Sequence, residues 1–322
     1  MSAALLRERF LAHLDNPALA TLGDAAVVPV DTSDIVVSTD SFVVSPIEFP
    51  GGSIGSLAVH GTLNDLAMMG AIPRYLAAGF ILEEGLPVEV LDRVVADMAR
   101  AARAAGIPVI TGDTKVVERG KADRLYINTT GIGVLDAALR PRPDAGRDGD
   151  VLIVSGPIAR HGMAIMAARE GLAFEAQIES DSACLVPLVD LLRSDVAGAV
   201  HAMRDPTRGG LASALNEIAA ASKVGIMLNE DALSVPGPVS AACEMLGLDP
   251  LYVANEGVMA TLVAPESADR VLRLMRSHPL GADATIAGQA VADHPGLVVL
   301  RTRLGSRRVV DMLPGDQLPR IC

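Results

Sequence analysis

Between Arg140 and Asp150 the chain turns polar and rich in Pro and Gly (Arg140-Pro141-Arg142-Pro143-Asp144-Ala145-Gly146-Arg147), with a separate series of strand and helix patterns on each side. A stretch of that composition does not continue a helix or a central strand, so the 322 residues read as two units, each long enough to bury its own core. The boundary is placed there: residues 1–145 as an N-terminal domain and 146–305 as a C-terminal domain. Residues 306–322 read as an exposed, mobile tail, because Arg301 to Cys322 has little periodicity and contains Pro314, Gly315 and Pro319.

Within the first unit, Val90, Leu91, Val94, Val95 and Met98 have helical spacing between Pro87 and Gly106, which predicts a helix over Leu86 to Ala105. Ile107 to Ile110 reads as a strand that delivers Asp113 at its end, and Leu125 to Val134 as another strand, bulged at Gly131 and Gly133. Val27 to Val30 and Ile35 to Ser38 read as earlier strands, Ser56 to Met69 as a helix, and Leu5, Leu6, Phe10 and Leu14 as a first helical pattern. The second unit repeats the mixture, with strands at Val151 to Val154, Val200 to Met203 and Ile226 to Leu228. Its helices are His161 to Gly171, Ser182 to Leu192 and Leu211 to Lys223. Strands and helices do not alternate strictly, so the fold class is α+β rather than a doubly wound sheet.

Charge and composition exclude several functions. With 27 Lys and Arg against 39 Asp and Glu the net charge is −12, a field that repels a phosphate polymer, and 2% aromatic content supplies no stacking platforms. Nucleic acid is therefore not an expected partner. No apolar run approaches the roughly 20 residues that span a bilayer, and Arg7, Glu8 and Arg9 interrupt the place where a signal peptide carries its apolar core. A cytoplasmic protein with no membrane partner is expected, its cysteines Cys184, Cys243 and Cys322 present as thiols.

No Walker phosphate loop, dinucleotide fingerprint, H-E-x-x-H or C-x-x-C occurs. Gly51-Gly52-Ser53-Ile54-Gly55 fits the G-x-S-x-G nucleophile elbow, but no buried strand precedes it, which argues against a serine hydrolase. Aspartates set among small or turn residues are more informative: Asp24, Asp40, Asp65, Asp113 and Asp205. Carboxylates gathered from several loops suit Mg²⁺ on a polyphosphate, whereas ordinary turn and N-cap chemistry is the alternative for each alone. Asp205-Pro206-Thr207-Arg208-Gly209-Gly210 opens a helical pattern. Its two glycines would let backbone N–H groups approach an anion, with Thr207 and Arg208 as donors; a simple capped helix start is the alternative. Cys322 places a thiol at the tip of the expected tail. It reads either as an unremarkable free thiol or as a tethered group that enters an active site.

Together, Asp40-Ser41-Phe42-Val43-Val44, Phe49-Pro50-Gly51-Gly52, Asn64-Asp65-Leu66-Ala67-Met68-Met69-Gly70-Ala71, Phe80 to Pro87, Thr111-Gly112-Asp113-Thr114-Lys115-Val116-Val117, Asp205 to Gly210 and the closing Pro319-Arg320-Ile321-Cys322 resemble the HypE-type [NiFe]-hydrogenase maturation family. That family is grouped with aminoimidazole ribonucleotide synthetases, selenophosphate synthetases and thiamine-monophosphate kinases, and the Pro-Arg-Ile-Cys ending sets it apart. The resemblance implies a two-domain fold, a homodimer through a sheet or barrel of the N-terminal domain, and an ATP- and Mg²⁺-dependent carbamoyl dehydratase. It also implies a carbamoyltransferase partner that loads Cys322 and an iron-scaffold complex that accepts the resulting cyanide. By similarity, Asp24, Asp40, Asp65, Asp113 and Asp205 surround metal and phosphates, and Asn64, Thr114, Thr207, Arg208, Gly209 and Gly210 assist. Glu256 is the expected proton-abstracting base and Lys115 the expected charge stabiliser; a turn cap and a simple ion pair are the respective alternatives. The family's glycine-rich stretch ahead of the first helix has no counterpart before Leu5. A nucleotide-gated carrier and a small-molecule kinase of the same superfamily are the competing functions.

Overall fold

The computed structural model describes residues 25–30, 33–171, 177–312 and 318–322. Asp24 and the helical pattern around Leu5 to Leu14 lie outside them. The first unit contains β1 (Ala26–Val30), β2 (Ser33–Phe42), the short hairpin β3 (Glu48–Phe49) and β4 (Gly52–Ser53), and helix α1 (Ile54–Met68). It continues with β5 (Ala71–Glu83), α2 (Val88–Ala105), β6 (Val109–Val117) and β7 (Leu125–Leu135). Five strands form one sheet in the order β1-β2-β7-β5-β6. β5 and β6 are parallel, so their connection must cross over the sheet, and the amphipathic α2 makes that crossover.

Helix α1 is held on all sides. Ser53 caps it, its hydroxyl accepting from Gly55 N–H while the Ser56 hydroxyl accepts from Ser53 N–H. Twelve of its fifteen residues are buried, against β2, β7, β5 and α2 in the first unit and against α4 and β9, defined below, in the second. Gly131 in β7 admits the helix: a Cβ there would stand 2.8 Å from Thr62 and 2.9 Å from Leu66. β7 pairs continuously with β2 from Phe42 to Ile35, so Gly131 marks a close approach and not the bulge expected from sequence.

The second unit comprises β8 (Val151–Val154), α3 (Arg160–Glu170), α4 (Val186–Val196), β9 (Val200–Arg204), α5 (Gly210–Ser222), β10 (Gly225–Asn229) and α6 (Gly237–Leu246). β11 (Ala260–Val263), α7 (Ala268–Arg276), β12 (Thr285–Val291), β13 (Val298–Arg301) and β14 (Arg307–Val309) complete it. Its seven-stranded sheet runs β14-β13-β10-β12-β8-β11-β9. Mixed strand directions and helices between the sheets give the α+β class expected.

The expected tail is corrected in two places. Arg307 to Val309 pair with β13, and Val310 is buried, so the second unit extends past residue 305. The chain end is docked and not wholly exposed: Ile321 is buried in the first unit's core, with Leu318 and Cys322 packed against the same cluster, while Pro319 and Arg320 are exposed. Two strand ends also move. β6 starts later and runs through Asp113, and β2 runs through Asp40, so both aspartates sit inside strands and not at or beyond their ends as expected. A Gly131→Val substitution should overpack the α1–β7 contact and lower unfolding stability by about 1–3 kcal/mol, read as a reduced urea midpoint.

Candidate active site

Alternation along β2 sends Ser38, Asp40 and Phe42 toward α1, where Thr62 and Asp65 meet them. The Asp40 and Asp65 carboxyl groups are within hydrogen-bonding reach of each other, and the Ser38 hydroxyl donates to Asp65 Oδ2 at 2.6 Å. Burial raises the Asp40 carboxyl above the usual carboxylate range, opposed by its hydrogen bond to Asp65, the Arg208 charge and the Thr62 hydroxyl. From the second unit, the turn at Asp205 and the Asn255-Glu256-Gly257 loop close on the same place. Asn255 ties them together: its N–H and its side-chain amide both donate to the Pro206 carbonyl.

Glu256 is buried, and its Oε1 accepts no hydrogen bond among the described residues. Desolvation pushes its carboxyl well above the ordinary range, and the charges of Asp205, Asp181 and Asp40 push the same way against Arg208. Gly61 in α1 leaves room for this arrangement, since a Cβ there would meet the Phe42 ring at 2.9 Å and lie 3.9 Å from Glu256 Oε2. Asp181, which sequence reasoning missed, accepts from Glu256 N–H through Oδ1 at 3.1 Å. Its Oδ2 is buried without a hydrogen-bond partner among the described residues, and burial pushes its carboxyl up to about 6. The signal was available: Ser180-Asp181-Ser182 has the same small-residue setting as the other aspartates.

The end of the chain enters this seam. Cys322 and Arg320 offer their carbonyls to the N–H groups of Val43 and Ser45, both at 3.2 Å, just past the end of β2. The thiol-bearing residue is thereby placed one position from Phe42, whose ring shares the Gly61 gap with Glu256. Arg169 donates to the carbonyls of Ser45, Pro319 and Arg320, and Arg320 pairs with Asp123 at 2.5 Å.

Other predicted residues take different positions. Both amide hydrogens of Asn64 are engaged, by the carbonyls of Ala183 and Glu256, and its Oδ1 accepts from Leu185 N–H. These bonds support the Glu256 loop. Gly209 and Gly210 take positive φ, Gly210 N–H is bonded to the Thr207 carbonyl, and a Cβ on Gly210 would stand 2.5 Å from the Leu251 carbonyl. Backbone conformation and packing thus account for Gly210 without an anion. Arg208 is exposed and acts electrostatically on Asp40 and Glu256.

Asp113, Thr114 and Lys115 are not brought to this cluster within one chain. They lie on β6, where the Asp113 and Lys115 side chains, 70% and 71% exposed, pair at 2.7 Å. The register row Ser41, Asn128, Gly79, Asp113 puts Asp113 on the sheet face opposite Asp40, three inter-strand steps or about 14 Å from Ser41. Among the described residues no three His, Cys, Asp or Glu side chains converge closely enough to hold a metal by themselves.

The same architecture occurs in known proteins. Residues 22–135 match the N-terminal domain of AIR synthase related proteins and residues 147–300 the C-terminal domain. Two such domains with a carboxylate seam between them define an AIR-synthase-related protein. Thiamine monophosphate kinase from Aquifex aeolicus shares the fold, with a TM-score of 0.68 at 18% identity.

Resemblance within that class is much closer to one branch. The chain is 52% identical over 322 residues to carbamoyl dehydratase HypE of Cupriavidus necator, spanning 100% of this chain and 92% of the relative. It is 46% identical to that of Escherichia coli, spanning 99% and 95%. A solved HypE–HypF complex superposes with a TM-score of 0.91 at 45% identity, covering 96% of this chain and 100% of the other. HypE solved in complex with ATP gives 0.87 at 48% identity, covering 99% and 96%. The chain belongs to the HypE carbamoyl dehydratase family.

The electrostatics of Glu256 carry a stability signature. Its folded-state pKa lies above the unfolded one, so from about pH 4.5 upward the unfolded chain releases a proton that the folded chain keeps, and stability falls as pH rises. Glu256→Gln removes that linkage. Its melting temperature should exceed that of the unsubstituted protein by a margin that grows between pH 5 and pH 7 in a buffer series.

Proposed function

We propose that the protein dehydrates a carboxamide carried on the sulfur of its own Cys322 to a cyanate, using ATP, and so supplies a cyanide ligand for [NiFe]-hydrogenase maturation. The observation that carries this reading is the docking of the chain end on Val43 and Ser45, next in sequence to Phe42, whose ring faces Gly61 together with Glu256 Oε2.

The oxygen of a thiocarbamate amide is a poor leaving group. Transfer of the terminal phosphoryl group of ATP to it forms an O–P bond and yields S–C(OPO₃²⁻)=NH, ADP and one proton. Cleavage of the C–O bond then leaves S–C≡N, and the second nitrogen proton departs with the phosphate as HPO₄²⁻. Glu256 takes the first proton: a carboxylate whose pKa is raised by burial is a stronger base once ionised. Asp181, through its bond from Glu256 N–H, fixes the loop that presents that base.

Asp40, Asp65 and Asp205 fit a Mg²⁺ ion that accompanies the nucleotide. They are buried or half-buried carboxyls, and such a set would hold the ion jointly with phosphate oxygens and water. When bound, the ion would neutralise phosphate charge. Asp24 and Asp113 are further candidates for that role. Thr207 and Arg208 supply phosphate donors from the start of α5.

Thr114 and Lys115 act from the exposed β6, Lys115 offsetting charge on the transferred phosphoryl group. Among the described residues this strand is the edge of its sheet, and Tyr75, Ile81 and Ile132 are exposed on the sheet face it adjoins. A homodimer through that face would cover them and place β6 at the junction of two chains. Partners follow from the chemistry: a carbamoyltransferase to load Cys322, a role supported by the relative solved as a HypE–HypF complex, and an iron-scaffold complex to accept cyanide. Among the described residues no helix is long and apolar enough to cross a membrane, and the reading is of a cytoplasmic protein.

Protein loaded as the S-carboxamide and incubated with Mg·ATP should lose about 18 Da from its C-terminal peptide, the mass of the one water removed. Glu256→Gln should slow that loss by about 10²-fold or more, the usual worth of a positioned base. Cys322→Ala should abolish it, and an unchanged mass in the loaded, unsubstituted protein would leave a carrier function instead.

A further inference from the structure

The Phe49-Pro50-Gly51-Gly52 turn, Ser180 and His161 take no part in the chemistry above, yet they converge on the chain end. His161 lies in α3, fully buried, with the Phe49 ring edge-on at 5.6 Å between centroids. Its Nε2 stands 2.9 Å from the Ile321 carbonyl and its Nδ1 2.8 Å from Ser180 Oγ. A carbonyl oxygen only accepts, so Nε2 carries the hydrogen. In the neutral ring Nδ1 then accepts from the Ser180 hydroxyl. Ser180 Oγ in turn accepts from Ser182 N–H at 3.0 Å. The polarity of the whole chain is thus set: Ser182 N–H to Ser180 O–H to His161 Nε2–H to the Ile321 carbonyl. Burial agrees with a neutral ring, pushing the imidazole down to about 4.

The turn holds Ser180 in place. Ser180 N–H donates to the Pro50 carbonyl at 2.9 Å, and Gly51, at φ +92°, lies so close that a Cβ would stand 2.9 Å from the Ser180 backbone. Only glycine meets both conditions. The residues that superficially fit a nucleophile elbow therefore form the seat for this hydrogen-bond chain.

We infer that His161, oriented by Ser180 and the Phe49–Gly52 turn, is a positioning residue that latches the chain end at the Ile321 carbonyl and so sets where the Cys322 sulfur stands. Ile321 precedes the carrier residue directly, so a donor on its carbonyl restrains the cargo without touching it. This role rests on the dehydratase reading, but docking itself is measurable without any chemistry. The amides of Val43 and Ser45 are bonded to the Cys322 and Arg320 carbonyls, so their hydrogen exchange reports release of the chain end.

The experiment is hydrogen exchange on the full chain carrying His161→Ala, His161→Gln or Ser180→Ala. It is paired with the rate of the 18 Da loss at varied ATP concentration. With a buried hydrogen bond lost, H161A should speed exchange at Val43 and Ser45 by about fivefold to tenfold. Its maximal rate of mass loss should fall while the ATP concentration for half-maximal rate stays unchanged. H161Q, which still offers an N–H near the position of Nε2, should restore both, and S180A should lie between. Exchange elsewhere in β2 and α1 checks that the variants fold. Unchanged exchange in H161A would overturn the inference, and so would equal loss of protection in H161A and H161Q, since packing alone would then account for His161. Failure of the unsubstituted protein to lose water would instead count against the dehydratase reading and leave the exchange result standing.

Discussion

The burial of α1 on all sides is the constraint on which the rest depends. A helix with twelve of fifteen residues out of water cannot be satisfied by one sheet, and here the two units share it. Its first half packs in the core of the first unit, whereas Ala67 and Met68 belong to a cluster built from Leu185, Leu188, Ile153 and Met259 of the second. Such burial obliges every polar group on the helix to find a partner. Thr62 bonds Thr129, His60 bonds Ser182, and Asn64 reaches across to Ala183, Leu185 and Glu256. The residues that weld the units together are thereby the ones that aim the Glu256 loop.

This explains how a strongly acidic seam persists. Glu256 and Asp181 are buried beside further carboxyls, an arrangement that opposes ionisation and costs stability at neutral pH. The helix and the loops bonded to it are rigid enough to hold them there. Arg208 relieves part of the repulsion. The docked chain end completes the seam, with Arg169 gathering three carbonyls and His161 a fourth.

Much of the fold was legible because its signals are local. The spacing Val90, Val94, Met98 gave away α2, and the Pro- and Gly-rich residues 140–147 carry neither helix nor strand, as their composition implied. β5, thirteen residues long, was not legible: Arg74 and Tyr75 interrupt its alternation, and the register shifts between Pro73 and Tyr75. β14 was hidden in an arginine-rich stretch, because an edge strand with an exposed face carries no apolar pattern. Asp40 and Asp113 looked alike in sequence, each beside a hydroxyl residue. The register of one sheet sends one toward the helix and the other to the open face.

The sequence by itself determined which residue types are on offer: the aspartates in small-residue settings, Glu256 and the Cys322 sulfur. Those are properties of residue type and short spacing. Tertiary structure alone decided that Asn64 and Gly210 serve the scaffold, that Asp181 joins Glu256, and that the last residues lie against Val43 and His161. Most of these depend on contacts between segments far apart in the chain, 75 residues for Asp181 and Glu256, 192 for Asn64 and Glu256 and 160 for His161 and Ile321, and no local pattern encodes which donor meets which acceptor across such a distance.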